Sequence, residues 1–307
     1  MRVIGIVGPT AVGKTSLAVR LAKKYNGEVI SCDSMQVYRG MDIGTAKVTK
    51  EEADGIPHHL IDIISPEEPF SCADYAILAR RAIEDIASRG KTPILCGGTG
   101  LYLDSVLEIS SFGEAVADEA YRRSLEKLAE EKGAEALHSI LREIDPESAD
   151  AIHYNNVKRV IRALEIYKCT GKPKSVIDKE NKSAPSPYEA TVFFLTCRDK
   201  ELLYSRIEKR VDIMLETGLM EEAEALYSAG VFEKSKTASG AIGYKELLPY
   251  LKGEAELEQC VAQLKLSTRH YAKRQLTWFK RKKSYITLYV DECDPFTEAV
   301  AHIGEKV

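Results

Sequence analysis

The eight residues Gly8-Pro9-Thr10-Ala11-Val12-Gly13-Lys14-Thr15 constrain this chain more than any other stretch. They match G-x-x-x-x-G-K-[ST], a loop whose glycines let backbone N–H groups turn inward around phosphate oxygens. The lysine adds a point charge, and the threonine hydroxyl is within reach of Mg²⁺. Such a loop has meaning only between a strand and a helix, and the flanks supply both. Residues 3–7 form a short apolar run rich in β-branched side chains, and 14–24 carry Leu17, Val19, Leu21 and Ala22 at helical spacing. The motif does not say which phosphate it holds. A nucleoside triphosphate is the common occupant, but a diphosphate with Mg²⁺ satisfies the same donors.

Strand signals recur at 28–32, ending at Asp33, and at 92–96, ending in Gly97-Gly98-Thr99-Gly100. A helix is expected over 71–89, with Ser71 as its N-cap. This alternation predicts an α/β fold with a parallel sheet and right-handed crossovers, and ligands on such sheets gather at the carboxyl ends of the strands. The loops after residues 7, 32 and 96 are therefore the places for chemistry. Near Phe112 the character changes: 118–132, 135–144, 146–152 and 156–170 read as amphipathic helices with no strand between them. This predicts a helical insertion at 113–189 inside a core made of 1–112 and 190–307. The polar stretch 171–188 reads as a mobile connector. A strand at 191–197 then precedes helices at 200–216, 219–229, 244–251 and 257–283, and a strand at 285–290 closes the sheet.

With 307 residues and 44% apolar composition, the chain can fill a sizeable core. No apolar run approaches membrane-spanning length, and residues 1–5 lead into the first strand without the pattern of a signal peptide, so neither export nor anchoring is expected. Seven scattered cysteines, never in CxxC spacing, predict reduced thiols in a cytoplasm rather than a disulfide framework or a zinc site. The net charge of −4 hides an asymmetry. Residues 269–283 contain seven Lys or Arg and no acid, which leaves the rest of the chain at −11. Any polyanion must be met locally.

Asp33 projects over the sheet edge beside the phosphate loop, where a carboxylate either holds Mg²⁺ or accepts a proton from an approaching nucleophile. The third strand ends Cys96-Gly97-Gly98-Thr99, with no acid at the Walker-B place, which argues against an NTPase. Thr99 lies where its hydroxyl can meet a bridging or leaving oxygen, with a plain tight turn as the alternative. Arg206 and Arg210 share one helix face; with Glu208 and Asp212 beside them, spacing alone favours a solvated, ion-paired surface. Arg122, Arg123, Lys158, Arg159 and Arg162 put cations on the insertion helices. Arg274 belongs to the basic, aromatic stretch 269–283, which reads equally as a nucleic-acid surface or as a helix packing Leu276, Trp278 and Phe279 inward.

Taken in order, Gly8–Thr15, Asp33-Ser34-Met35-Gln36-Val37-Tyr38, Gly40-Met41-Asp42-Ile43-Gly44-Thr45-Ala46-Lys47, Gly97-Gly98-Thr99, residues 159–165 and Ala272-Lys273-Arg274-Gln275 resemble the bacterial tRNA dimethylallyltransferases over essentially the whole chain. The resemblance implies a fold like that of the nucleotide kinases with a helical insertion, and transfer of a dimethylallyl group from its diphosphate to N6 of adenosine 37 in the anticodon arm of tRNA. It implies that Gly8, Pro9, Thr10, Ala11, Val12, Gly13, Lys14 and Thr15 hold the diphosphate, with Thr15 near Mg²⁺. Asp33 becomes the base, and Thr99 and Arg210 stabilise the departing diphosphate. Contacts to tRNA are implied for Asp33, Ser34, Met35, Gln36, Thr99, Arg122, Lys158, Arg159, Val160, Ile161, Arg162 and Arg274. The expected form is a cytoplasmic monomer without membrane contact. A small-molecule kinase and a prenyltransferase acting on free AMP or ADP are the competing readings.

Overall fold

The computed structural model describes residues 1–108, 118–183 and 186–304. Six strands form one wholly parallel sheet: β1 (Arg2–Val7), β2 (Gly27–Ser31), β3 (His58–His59), β4 (Thr92–Gly97), β5 (Glu189–Thr196) and β6 (Ile286–Tyr289), in the order β3-β2-β4-β1-β5-β6. The predicted parallel α/β class is therefore observed. Strands covered on both faces read as continuous apolar runs, and in β1 only Arg2 is exposed while every residue of β2 is buried. Glu28 is the one charged residue of β2. Its carboxylate is held by Arg89, Lys91 and His59, and the Arg89 hydrogen bonds above all keep its pKa far below the usual range.

The helix Lys14–Lys24 turns Leu17, Leu21 and Ala22 onto the sheet, where they pack with Ile4, Ile6, Ile94, Phe193, Leu203, Ile207 and Leu288. The helix Cys72–Ser88 starts at Ser71 with a full capping box to Asp74. A second core lies under the segment that follows β2. Val37, Tyr38 and Met41 pack there against Val211, Leu219, Phe232, Tyr244 and Leu264. The 41–44 turn is pinned from outside its own segment: Glu222 accepts the N–H groups of Asp42, Ile43 and Gly44, and the Tyr244 hydroxyl donates to it at 2.6 Å.

The chain divides into two compact units, Met1–Leu103 with Tyr188–Val307, and Asp104–Pro187. Among the described residues the regular structure of the second unit is all helical: the end of Gly100–Leu107, then Glu119–Lys132, Ala134–Ile144, Pro146–Ala151, Val157–Thr170 and Lys174–Ser183. Its core is Leu125, Leu137, Leu141, Val160, Ile161 and Leu164. The division falls within the helix Gly100–Leu107, and the change expected at Phe112 lies outside the described residues.

Three expectations need correction. The segment 171–188 is not merely a connector. Gly171 ends one helix at φ 69°, Pro173 pre-sets the backbone for the next, and Asp145 accepts the Ser175 N–H at 2.9 Å, so Lys174–Ser183 is helical. The helix expected over 244–251 shrinks to Leu248–Leu251, because Pro249 lacks the N–H that a helix running through it needs. The long helix is Leu257–Phe279, stopping short of residue 283. The two-residue β3 carries too few side chains to show alternation, and the helix Pro295–Gly304 was not expected. Among the described residues no helix is long and apolar enough to cross a membrane.

Candidate active site

The carboxyl edge of the sheet gathers four of the expected groups. The phosphate loop leaves β1 at Gly8, whose φ is 151°; a Cβ there would lie 2.4 Å from the Leu195 carbonyl oxygen of β5, so only glycine fits. Ala11 sits in the left-handed region at φ 62°, which turns the loop back toward its helix. Lys14 folds over the loop and its ammonium donates to the Pro9 carbonyl at 2.7 Å. Burial lowers the Lys14 pKa to about 8. Cys96 and Asp33 act to raise it and Arg210 to lower it further.

Asp33 follows β2 and its Oδ1 accepts the Met35 N–H at 2.9 Å. Burial raises its pKa, while the Met35 N–H, Lys14, the Gln36 N–H and Arg210 pull it back toward the ionised form. Thr99 follows β4: its N–H donates to the Cys32 carbonyl at 3.1 Å and its Oγ1 accepts the Ser34 N–H at 3.1 Å. The turn reading of Thr99 is thus incomplete, because its hydroxyl laces the β4 loop to the Asp33 loop.

Arg210 is the clearest departure from what local spacing favoured. Glu208 pairs with Arg269 and Asp212 with Lys265 at 2.6 Å, both on the long helix. Arg210 is thereby left free of them and reaches the phosphate loop, where Nη1 donates to Thr10 Oγ1 at 3.3 Å. Its pKa is lowered by burial, opposed by Glu52 and Asp33. A solvated face is not what it forms.

Two further groups belong to this edge. Gln275 accepts the Thr10 N–H at 2.9 Å and donates to the Gly98 carbonyl at 3.0 Å. Tyr271, one turn earlier, lies near the same edge; burial chiefly, with Asp33 adding, raises its pKa. The signal available in the sequence was their i, i+4 spacing within a stretch otherwise exposed and basic. Arg274 lies on the exposed side of the same helix, its guanidinium 5.4 Å from the Tyr271 ring centroid. Phe279 is buried and Leu276 half-buried, so the packing reading of the basic stretch holds on one face, while Lys273, Arg274 and Lys280 are exposed on the other.

Ser34 and Met35 are half-buried beside Asp33. Gln36 is committed to its own fold: Oε1 accepts from Ser31 Oγ at 2.8 Å, and Nε2 donates to the carbonyls of Thr45 and Ala46 at 3.2 and 3.1 Å. In the helical unit, Lys158 and Arg159 are exposed in the first turn of Val157–Thr170, which has no acid there and no side-chain cap. Cations at that end oppose the helix dipole, an arrangement suited to an anionic partner. Arg122 grips Glu165, which is 1% exposed, through Nε at 2.9 Å and Nη2 at 3.2 Å, with Arg162 at 3.5 Å. Val160 and Ile161 are core residues, 0 and 3% exposed, and their side chains offer nothing to RNA. Their expected tRNA contact is corrected accordingly: they hold the helix that displays the cations.

For Mg²⁺, the donors are oxygens, the Thr15 hydroxyl in the first turn after the loop and the Asp33 carboxylate. Mg²⁺ is usually held by one or two such groups plus substrate phosphates and water, and the donor set fits that habit. Among the described residues no group of three or more His, Cys, Asp or Glu comes together as a metal site.

The family pattern described as IPP transferase matches residues 36–282. The tRNA dimethylallyltransferase of Bacillus cereus (strain B4264) is 50% identical over 307 residues, covering 100% of this chain and 95% of the relative. That of Geobacillus kaustophilus (strain HTA426) is 51% identical over 306 residues, covering 100% and 96%. The full-length tRNA isopentenylpyrophosphate transferase of Bacillus halodurans superposes with a TM-score of 0.74 at 49% identity, covering 99% of this chain and 96% of that one. A eukaryotic dimethylallyltransferase acting on tRNA superposes with a TM-score of 0.83 at 34% identity, covering 98% and 77%. With its phosphate loop, one edge carboxylate and such relatives along its whole length, this chain belongs to the IPP transferase family, the tRNA dimethylallyltransferases.

Proposed function

We propose that this protein transfers the dimethylallyl group of dimethylallyl diphosphate to N6 of adenosine 37 in the anticodon arm of tRNA and releases diphosphate, acting as a cytoplasmic monomer. The observation that carries the chemistry is a single half-buried carboxylate beside the phosphate loop, Asp33, which feels two half-buried cations, Lys14 and Arg210. An allylic diphosphate reacts by losing its leaving group, so negative charge develops on the departing diphosphate. Fixed donors aimed there stabilise the transition state more than the ground state. Lys14, Arg210 and the loop's backbone N–H groups, apart from that of Thr10, which Gln275 takes, are those donors. One carboxylate then suffices, because the only proton to be moved is the one on N6 as its bond to carbon forms, and Asp33 accepts it. Mg²⁺ bound to the diphosphate beside Thr15 would supply further neutralisation of the leaving group.

Adenosine 37 must leave its stack to reach this edge, at a cost of a few kcal/mol. Lys158, Arg159 and the first turn they occupy suit an RNA backbone and would help offset that cost, as would Arg274. The test is incubation with an anticodon stem-loop, with AMP and with ATP, each alongside labelled dimethylallyl diphosphate, followed by mass analysis of the adenosine. Prenylated adenosine 37 is the expected product. Modification of AMP alone, or turnover of ATP without prenyl transfer, would overturn the proposal.

A further inference from the structure

We propose that Gln275 is a positioning residue for the transfer: its side-chain amide fixes the separation between the phosphate loop and the turn that carries Thr99. The inference rests on the prenyl-transfer reading. Gln275 is 5% exposed within a helix whose neighbouring Lys273, Arg274 and Thr277 face solvent. A buried amide must find partners for both halves, and here the partners belong to loops after two neighbouring strands. Oε1 takes the Thr10 N–H of the loop after β1, at 2.9 Å, and Nε2 gives a proton to the Gly98 carbonyl after β4, at 3.0 Å. The seat is shaped on its far side as well, since a Cβ on Gly98 would lie 2.1 Å from Nε2.

The polarity admits one orientation. A reversed amide would set NH₂ against the Thr10 N–H and oxygen against the Gly98 carbonyl. Gly98 leads directly into Thr99, whose Oγ1 holds the Ser34 N–H next to Asp33. The amide of Gln275 thus ties the phosphate loop to the turn that is itself laced to the Asp33 loop. The Thr10 N–H is spent on Gln275, and Arg210 binds the Thr10 hydroxyl. Gln275 therefore sets where the leaving-group cradle stands relative to Thr99, without touching substrate itself.

The experiment compares wild type, Gln275→Ala and Gln275→Glu in three measurements: melting temperature, binding of inorganic pyrophosphate with Mg²⁺, and single-turnover transfer from dimethylallyl diphosphate to an anticodon stem-loop between pH 6 and 9. Misplacing a reacting group by about 1 Å costs on the order of 100-fold in rate. A loss of that order is expected for Gln275→Ala, with stem-loop affinity unchanged. A protonated glutamic acid can accept from Thr10 and donate to Gly98 as the amide does, whereas its carboxylate cannot donate. The rate ratio of Gln275→Glu to wild type is therefore expected to climb as pH falls, and taking the ratio cancels the titration of Asp33, Lys14 and Tyr271. A folded Gln275→Glu whose ratio stays flat with pH, or a folded Gln275→Ala within twofold of wild type, would overturn the inference. If wild type transfers no prenyl group while pyrophosphate binding still depends on residue 275 in this pH-dependent way, the prenyl-transfer reading fails and the clamp stands.

Discussion

Arg210 donates to the Thr10 hydroxyl at 3.3 Å, joining the helix Lys200–Glu216 to the phosphate loop from 200 residues away. The guanidinium is half-buried against the loop and partly desolvated, and on the proposed reading its charge stabilises the departing diphosphate. Replacing Arg210 by Ala is expected to lower the single-turnover rate by about 10²–10³-fold. Arg210→Lys should recover only part of this, because an ammonium cannot span Thr10 and a phosphate oxygen in a planar fork. Rapid-quench measurement at saturating tRNA checks both, and a lysine variant at the wild-type rate would contradict the geometry.

Asp33→Asn keeps the size of the side chain and its acceptor oxygen for the Met35 N–H while removing the base. Turnover should fall by about 10²–10⁴-fold, the usual worth of a positioned base. Affinity for the anticodon stem-loop should stay within about threefold. A gel-shift titration beside single-turnover kinetics separates the two, and an unchanged chemical step would remove Asp33 from its role.

The pH dependence follows from two displaced groups. Burial raises the Asp33 pKa, and the base works only when ionised, so the rate rises with pH through a value higher than an aspartate's ordinary one. Burial lowers Lys14 to about 8, and its charge attracts the diphosphate only when protonated, so donor capture falls as pH rises through about 8. The profile of kcat/KM for the donor is therefore expected to be bell-shaped. Its alkaline limb should vanish from the kcat profile, because a bound diphosphate stabilises the lysine charge. Steady-state kinetics at fixed ionic strength checks this.

How far this site could be read beforehand depended on the range of the contacts involved. Gly8–Thr15, Asp33 and Thr99 were legible because each follows a strand directly, and strand signals are local. Arg210 was ambiguous by spacing, since the fate of Glu208 and Asp212 is decided by Arg269 and Lys265 on a helix about sixty residues onward. Gln275 was named only within a motif. Its partners lie 265 and 177 positions away, and nothing near it distinguishes a clamp from one more polar residue on a basic helix. The helix Lys174–Ser183 was hidden by polar composition, because what orders it is an acceptor at Asp145. Local pattern gave the sheet and its ligand edge, while the pairing of charges and amides across that edge emerged only with the fold.

The helical unit separates cations that hold the fold from those free to meet RNA. Glu165 is buried with Arg122 as its bidentate partner, so Arg122→Ala leaves a carboxylate to be desolvated with only the longer Arg162 contact. This should cost about 1–3 kcal/mol of stability, with local loosening of the packing around Val160 and Ile161. Any loss of tRNA affinity in that variant would then come mixed with unfolding. Lys158 and Arg159 are exposed, so their replacement by alanine should leave stability within about 0.5 kcal/mol. Each lost phosphate contact should flatten the dependence of log affinity on log salt by roughly 0.7–0.9. Urea denaturation and stem-loop binding across 50–200 mM salt test the pair together. A Lys158→Ala, Arg159→Ala double variant with unaltered salt dependence would show that the phosphate backbone is met elsewhere. A fully stable Arg122→Ala would instead mean that Glu165 is relieved by Arg162 alone, which would then be the residue to remove.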